Sequence, residues 1–228
     1  MLPQTVVPGV HLLPFEIGQV YLWEWDGGLT VVDTGIAGSA DAILKAIQAL
    51  GRQPSDVSDI IVTHFHDDHR GGAAELAERT GAPVLAHWAD APVIRGEMPG
   101  LPPILLDFER PIFEAVTPLV PPAPFVPNVR EVDDHQTTAG GGVFVSVPGH
   151  TPGSLALHLP ALGVLFTGDT IAFHGEQAIL GVFNIDRAEA IRSLRKQAAL
   201  AFETACFGHG APIVRGAGSQ IRALAASM

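Results

Sequence analysis

Residues 60 to 72 read IIVTHFHDDHRGG, and no other stretch limits the fold of this 228-residue chain as tightly. The apolar run Ile60-Ile61-Val62 is of buried-strand type, yet it leads straight into His64, His66, Asp67, Asp68 and His69, with two glycines behind them. Imidazoles and carboxylates bunched against a buried strand must be hydrated, paired or bound to a metal, because burying them bare is costly. A solvated loop would satisfy them, and so would a metal site, but only the metal site makes demands elsewhere in the chain. His64, His66 and Asp68 are spaced two apart, so an extended strand end would point them one way, whereas His69 breaks the alternation and must project from a turn.

Candidates that answer the demand lie downstream. His150 in VSVPGHTPGS, Asp169 in VLFTGDT and His209 in ACFGHG each follow an apolar strand and sit among glycines or prolines. Taken singly, each reads as a turn or capping residue. Taken with the first cluster, they form a set of histidines and carboxylates large enough for two metal ions. The single cysteine, Cys206, excludes an intrachain disulfide, offers no thiolate cluster, and reads as a small buried hydrophobe.

The organisation is that of an α/β layered protein. Strands are expected at YLWEWDGG and LTVVDTG, joined by a turn at Gly27-Gly28. In ADAILKAIQALG, Ile43, Leu44, Ile47 and Leu50 fall at helical spacing, with Ser39 as N-cap and Gly51 as C-cap. A strand at DIIVT, a short helix at GGAAELAERTG and a strand at APVLAHW follow. The second half repeats this alternation through VFVSV, LALHLP, VLF, a helix over DRAEAIRSLRKQAALA, a strand at TACF and a terminal helix. Trp23, Trp25 and Trp88 are expected in the core. Residues 91–128 break the pattern, being dense in proline yet apolar, so they suit neither a long helix nor a central strand. An irregular connection, a lid or pocket wall, and a subunit contact are the uses open to them. With 47% hydrophobic residues, the whole of 1–228 is expected to fold as one domain carrying that insertion.

A formal net charge of −11 would repel phosphate backbones, so nucleic acid is not an expected partner. The N-terminal residues lack the basic head and apolar stretch of a signal peptide, and no later segment approaches a membrane span. A cytoplasmic protein without membrane contact is the expectation, acting on a small-molecule substrate and, from its surface hydrophobicity, pairing as a homodimer.

HFHDDH fits the pattern His-x-His-x-Asp-His, and with His150, Asp169 and His209 in order the chain resembles the metallo-β-lactamase superfamily of hydrolases. The likeness runs from VVDTG, near Asp33, to FGHG near the end. It implies a four-layer αβ/βα sandwich, two mixed β-sheets face to face with helices outside, and a site along one edge between them. It further implies that His64, His66 and His150 hold one divalent metal ion and Asp68, His69 and His209 a second, with Asp169 bridging. Asp33 and Asp67 would not be ligands. Imidazoles with a few carboxylates suit zinc best, with iron or manganese as competitors. The chemistry implied is metal-assisted hydrolysis of an ester, lactone, thioester or related bond, with Asp68 as the catalytic carboxylate.

Departures within the resemblance narrow the branch. Di-iron redox members typically carry glutamate where this chain has His66. Members that destroy β-lactams usually have cysteine or serine in place of Asp169, whereas glyoxalase II and lactonase branches have the aspartate. Quorum-quenching lactonases commonly place a tyrosine just after it, and GDTIAFHGE has none. Glyoxalase II relatives tend to show a second histidine after GHTPG, where this chain has Ser154, and a C-terminal basic patch of which only Arg215 is present. A mononuclear-iron dioxygenase of the persulfide type, and a phosphodiesterase, are the alternative chemistries. His174, five residues past Asp169, is a candidate for substrate contact; His11, His87, His135 and His158 read as structural.

Overall fold

The computed structural model describes residues 2–228. Its larger sheet runs in chain order through β1 (Gln4–Val7), β2 (Val10–Leu13), β3 (Val20–Trp25), β4 (Gly28–Val32), β5 (Val57–Ile61), β6 (Val84–His87) and β7 (Val129–Val132). The pairings from β1 to β4 are antiparallel and those from β4 to β7 parallel. Parallel neighbours need crossovers, and the chain supplies α1 (Ala40–Ala49) and, after a turn at α2 (Asp67–Arg70), α3 (Ala73–Thr80). The second sheet has the order β13-β10-β9-β8, built from β8 (Val143–Ser146), β9 (Leu155–Leu159), β10 (Val164–Phe166) and β13 (Thr204–Cys206). A separate hairpin joins β11 (Ile171–His174) to β12 (Gln177–Leu180). Helices α6 (Arg187–Ala198) and α7 (Ala217–Ser227) pack on the second sheet, while α4 (Ala91–Ile94) and α5 (Glu109–Val116) lie in the insertion.

Three apolar layers make this the expected αβ/βα sandwich. Strand alternation divides them: Leu22, Val31 and Ile60 face α1 and α3, where they meet Ile43, Ile47 and Leu76. Their neighbours Tyr21, Val32 and Ile61 face the other way, into the space between the sheets with Phe144, Leu157 and Phe166. The third layer holds Val145 and Leu165 against Leu194 and Ile221. Cys206 lies buried between the sheets, and burial pushes its thiol up, away from the reactive range.

Several local expectations are corrected. The β3–β4 turn is Asp26-Gly27 rather than Gly27-Gly28, because Trp25 already pairs with Gly28. Strand β5 ends at Ile61 and Asp68 sits on the helical turn α2, so the alternation from His64 to Asp68 does not continue an extended strand. Trp88 is 54% exposed, unlike the buried Trp23. Residues 91–128 hold neither a long helix nor a strand, as expected, though they are not irregular throughout, since Pro111 falls within the first turn of the short helix α5. Among the described residues, no helix is long and apolar enough to cross a membrane.

Ile60→Ala, in a position with no exposure, should lower stability by about 2–5 kcal/mol in denaturant unfolding. A loss below about 1 kcal/mol would contradict the close packing of β5 against α1 and α3.

Candidate metal centre

Strands β4, β5 and β6 are parallel, so their C-terminal ends reach the same edge, and each end delivers a buried polar residue: Asp33, His64 and Asp90. Asp33 turns the chain with φ of 57° and aims its carboxylate across to the next strand end. Its Oδ1 accepts from the Thr63 amide at 2.8 Å, and its Oδ2 accepts from Thr63 Oγ1 at 2.9 Å and from His69 Nδ1 at 2.8 Å. Asp90 does the corresponding work for two loops. Its Oδ2 accepts from the Phe65 amide at 3.0 Å and Thr151 Oγ1 at 2.7 Å, and its Oδ1 from the Gly153 amide at 2.7 Å. The loop bearing His64 and His66 is thereby tied to the loop bearing His150.

These anchors decide which ring nitrogens carry protons. The Thr63 hydroxyl spends its one hydrogen on Asp33, so at 3.0 Å it accepts from His64 Nδ1 and leaves His64 Nε2 as a lone pair. The Val182 carbonyl can only accept, so His150 donates to it from Nδ1 at 3.1 Å, leaving its Nε2 also as a lone pair. Both lone pairs point at His66 Nδ1, at 3.0 and 2.9 Å. Burial pushes all three imidazoles toward the neutral form, His66 down to about 4 and His150 to about 3. Three neutral nitrogens converging on one point form a cation-binding arrangement.

Beside them stands a second group. His69 turns Nε2 inward, 3.4 Å from His209 Nε2, 3.7 Å from Asp68 Oδ2 and 3.3 Å from Asp169 Oδ1. His209 Nε2 lies 3.3 Å from Asp68 Oδ2 and 3.1 Å from Asp169 Oδ2. Burial works against a charge on His69, but Asp169, Asp68 and Asp33 outweigh it and hold the imidazolium. The Asp169 carboxylate likewise raises His209 to about 10. Burial would raise both Asp68 and Asp169, yet the charges of His69 and His209 keep each well below the usual carboxylate range. The group is thus a compact set of opposite charges.

Donor atoms of His64, His66 and His150 lie within 4.8 Å of one another, as do those of Asp68, His69 and His209, and those of His64, His69 and Asp169. All seven residues singled out by spacing therefore meet at one place, and Asp169 touches both groups, with Oδ2 also 3.7 Å from His150 Nε2. A test of fit comes from Asp169 Oδ1, which is buried without a hydrogen bond; its approach to His69 lacks the alignment of one. An orphaned acceptor between a cluster of imidazole lone pairs and a second cluster of carboxylates and imidazoles, whose protons a cation would displace, matches the donor chemistry of divalent cations. Space there is kept by Gly208, where a Cβ would stand 2.1 Å from Asp169 Oδ1 and 2.7 Å from His69 Cε1. The side chain of His209 is 41% exposed while those of His69 and His150 are 0% and 2%, so the cluster opens to solvent on the His209 side.

Other singled-out residues stand apart. Asp67 pairs with Arg70 at 2.6 Å, outside the cluster. His174 is exposed at the end of β11, next to Phe173, whose amide donates to the His209 carbonyl at 3.1 Å. His11 is paired with Glu24 at 3.0 Å and His158 Nε2 with the Ala201 carbonyl at 2.9 Å; His87 is buried and His135 exposed. A broad depression of about 760 Å³ between α3 and β7 contains none of the donors. Sequence reasoning missed Asp90, although HWAD repeats the signal used elsewhere, a polar residue just past an apolar strand.

With this geometry in hand, comparison with known proteins is decisive at the level of family. Residues 13–209 match the Metallo-beta-lactamase superfamily, and the chain belongs to it. The chain is 36% identical over 185 residues to a hydroxyacylglutathione hydrolase of Cereibacter sphaeroides, a match covering 80% of this chain and 58% of that relative. It therefore spans under two thirds of the relative's length. Against the probable metallo-hydrolase YflN of Bacillus subtilis it is 26% identical over 230 residues, covering 90% of this chain and 85% of the relative. Among solved structures, a Cronobacter sakazakii metallo-beta-lactamase with a HARLDQ motif superposes with a TM-score of 0.73 at 24% identity, over 99% of this chain and 91% of that one, a likeness of fold.

Asp90→Ala would leave the buried Phe65 and Gly153 amides unpaired, each worth about 1–3 kcal/mol, while the Thr151 hydroxyl can turn to Ser154 Oγ at 2.9 Å, and should destabilise the fold by about 2 kcal/mol or more. Unfolding curves displaced by less than about 1 kcal/mol would show that the two loops do not depend on it.

Proposed function

We propose that this chain is a metal-dependent hydrolase that holds two divalent cations, zinc by preference over iron or manganese, and cleaves an ester, lactone or thioester bond of a small molecule. The observation that carries the proposal is the buried, unpartnered Asp169 Oδ1 between two triads of donors. In this reading His64, His66 and His150 hold one cation, Asp68, His69 and His209 the other, and Asp169 joins them. The likeness to hydroxyacylglutathione hydrolases favours a thioester among the acyl bonds.

Cations held there would polarise the carbonyl under attack and lower the pKa of water from about 15.7 toward about 7. The chain's own residues supply orientation. Asp68 is bonded to His209 on the solvent-open side, where its carboxylate accepts a hydrogen bond from the attacking water and turns the lone pair toward the substrate. Asp33 fixes His69, while Thr63 and the Val182 carbonyl fix the tautomers of His64 and His150, so the donors need not reorganise during the reaction.

Asp68→Asn should remain folded but lower turnover of a sensitive acyl substrate by about 10²–10⁴-fold; wild-type turnover would remove the role assigned to Asp68. Purified protein should carry close to two divalent ions per chain by elemental analysis, and chelation should abolish hydrolysis of aryl ester, lactone and thioester alike. One iron per chain, with none of these bonds cleaved, would overturn the proposal.

A further inference from the structure

Nine of the fourteen large hydrophobic side chains exposed among the described residues fall between Met98 and Phe125, inside the insertion. Such a concentration marks a ligand or partner surface, because exposed apolar side chains are ordinarily scattered. Its placement is specific. The insertion leaves β6 at the edge where Asp33, His64 and Asp90 lie, and it is fastened to the site at two points. Gly100 packs on Phe65, where a Cβ would come within 2.6 Å of the ring, and that ring stands edge-on to His66 with centroids 4.9 Å apart. Farther on, the Ile104 amide donates to the Asn184 carbonyl at 3.0 Å, Glu109 Oε1 accepts from the Phe183 amide at 3.3 Å, and the Phe113 and Phe183 rings meet at 5.2 Å. Phe183 directly follows Val182, the acceptor for His150.

Residues 100–113 are thus pinned to the chain around His66 at one end and to the chain behind His150 at the other. Helix α5 divides accordingly. Glu109 and Phe113, one turn apart, dock on Phe183, whereas Phe108, Ile112 and Val116, also one turn apart, form an apolar stripe left open, with Arg110 and Glu114 on the far side of the helix. Leu101 and Ile104, 52% and 73% exposed, extend the apolar surface toward Phe65.

We infer that this segment is an apolar wall beside the metal centre which receives the hydrocarbon part of the substrate, making the substrate class an ester or thioester of a medium-chain or otherwise apolar acyl group. The inference rests on the hydrolase proposal for the bond that is cut, while the wall itself is a binding surface and can be tested without turnover.

For the metal-loaded enzyme, kcat/KM for 4-nitrophenyl octanoate should exceed that for the acetate by about tenfold or more, the scale on which hydrophobic pockets discriminate by methylene groups. In the double variant Ile104→Ser with Ile112→Ser, both positions being exposed, this ratio should fall by about tenfold while thermal melting stays at the wild-type value. Equal kcat/KM for the two esters in the wild type, or an unchanged ratio in the folded variant, would overturn the inference. Binding of the apolar dye 1-anilinonaphthalene-8-sulfonate gives the independent readout: octanoate and not acetate should displace it from the wild type, and the variant should bind it several-fold more weakly. If no ester is turned over, the hydrolase proposal fails by itself and the dye still decides the wall, with undiminished dye binding in the variant counting against it. A dimer in sedimentation that the double variant dissolves, with the ester ratio untouched, would assign the surface to a second copy and overturn the inference.

Discussion

Two carboxylates and five imidazoles meet at one edge of the sandwich, where His64, His69 and His150 have almost no contact with water. Side chains of this kind lose several kcal/mol when buried unless each is neutral, paired or ligated. The surrounding structure answers that constraint group by group. Burial keeps one set of imidazoles neutral, opposite charges compensate in the other, and Asp33 and Asp90 accept the hydrogen bonds that fix the loops in between. The parallel run β4-β5-β6 matters because it brings Asp33, His64 and Asp90 to one edge, and the second sheet matters because it presents His150, Asp169 and His209 opposite them.

Much of this was legible in the sequence because it is local. An apolar strand followed at once by polar residues and glycine is a strand end that carries function, and the pattern picks out His64, His150, Asp169 and His209 without any knowledge of which strands are neighbours. The long periodic helices α1 and α6 were legible for the same reason. Asp90 was not, since its partners Phe65, Thr151 and Gly153 lie 25 to 63 residues away and only the sheet order brings them near. The helical turn at α2 was hidden because spacing by two is compatible with a strand end, while the Asp33–His69 bond that requires a turn joins residues 36 apart. Trp88 was misplaced for a simpler reason: size and hydrophobicity predict burial on average, but its position just beyond β6 leaves its ring at the surface.

In the proposed reading, reaction chemistry and substrate choice fall on different parts of the chain. The donor cluster is assembled on strand ends and short turns whose glycines, such as Gly208, leave no room for change. The insertion between β6 and β7 is a long connection that meets the core through Ile94 and Val126 and carries most of the exposed apolar side chains. A scaffold of this kind fixes the polar chemistry and lets one loop decide what is brought to it.

In the proposed function the seven convergent side chains form a binuclear metal centre. Anomalous diffraction from crystals of the purified chain, collected on both sides of the zinc, iron and manganese absorption edges, tests it most directly. Two anomalous peaks are expected, one contacted by His64, His66 and His150 and the other by Asp68, His69 and His209, with Asp169 touching both. A single peak, or metal bound without Asp169, would contradict the binuclear centre.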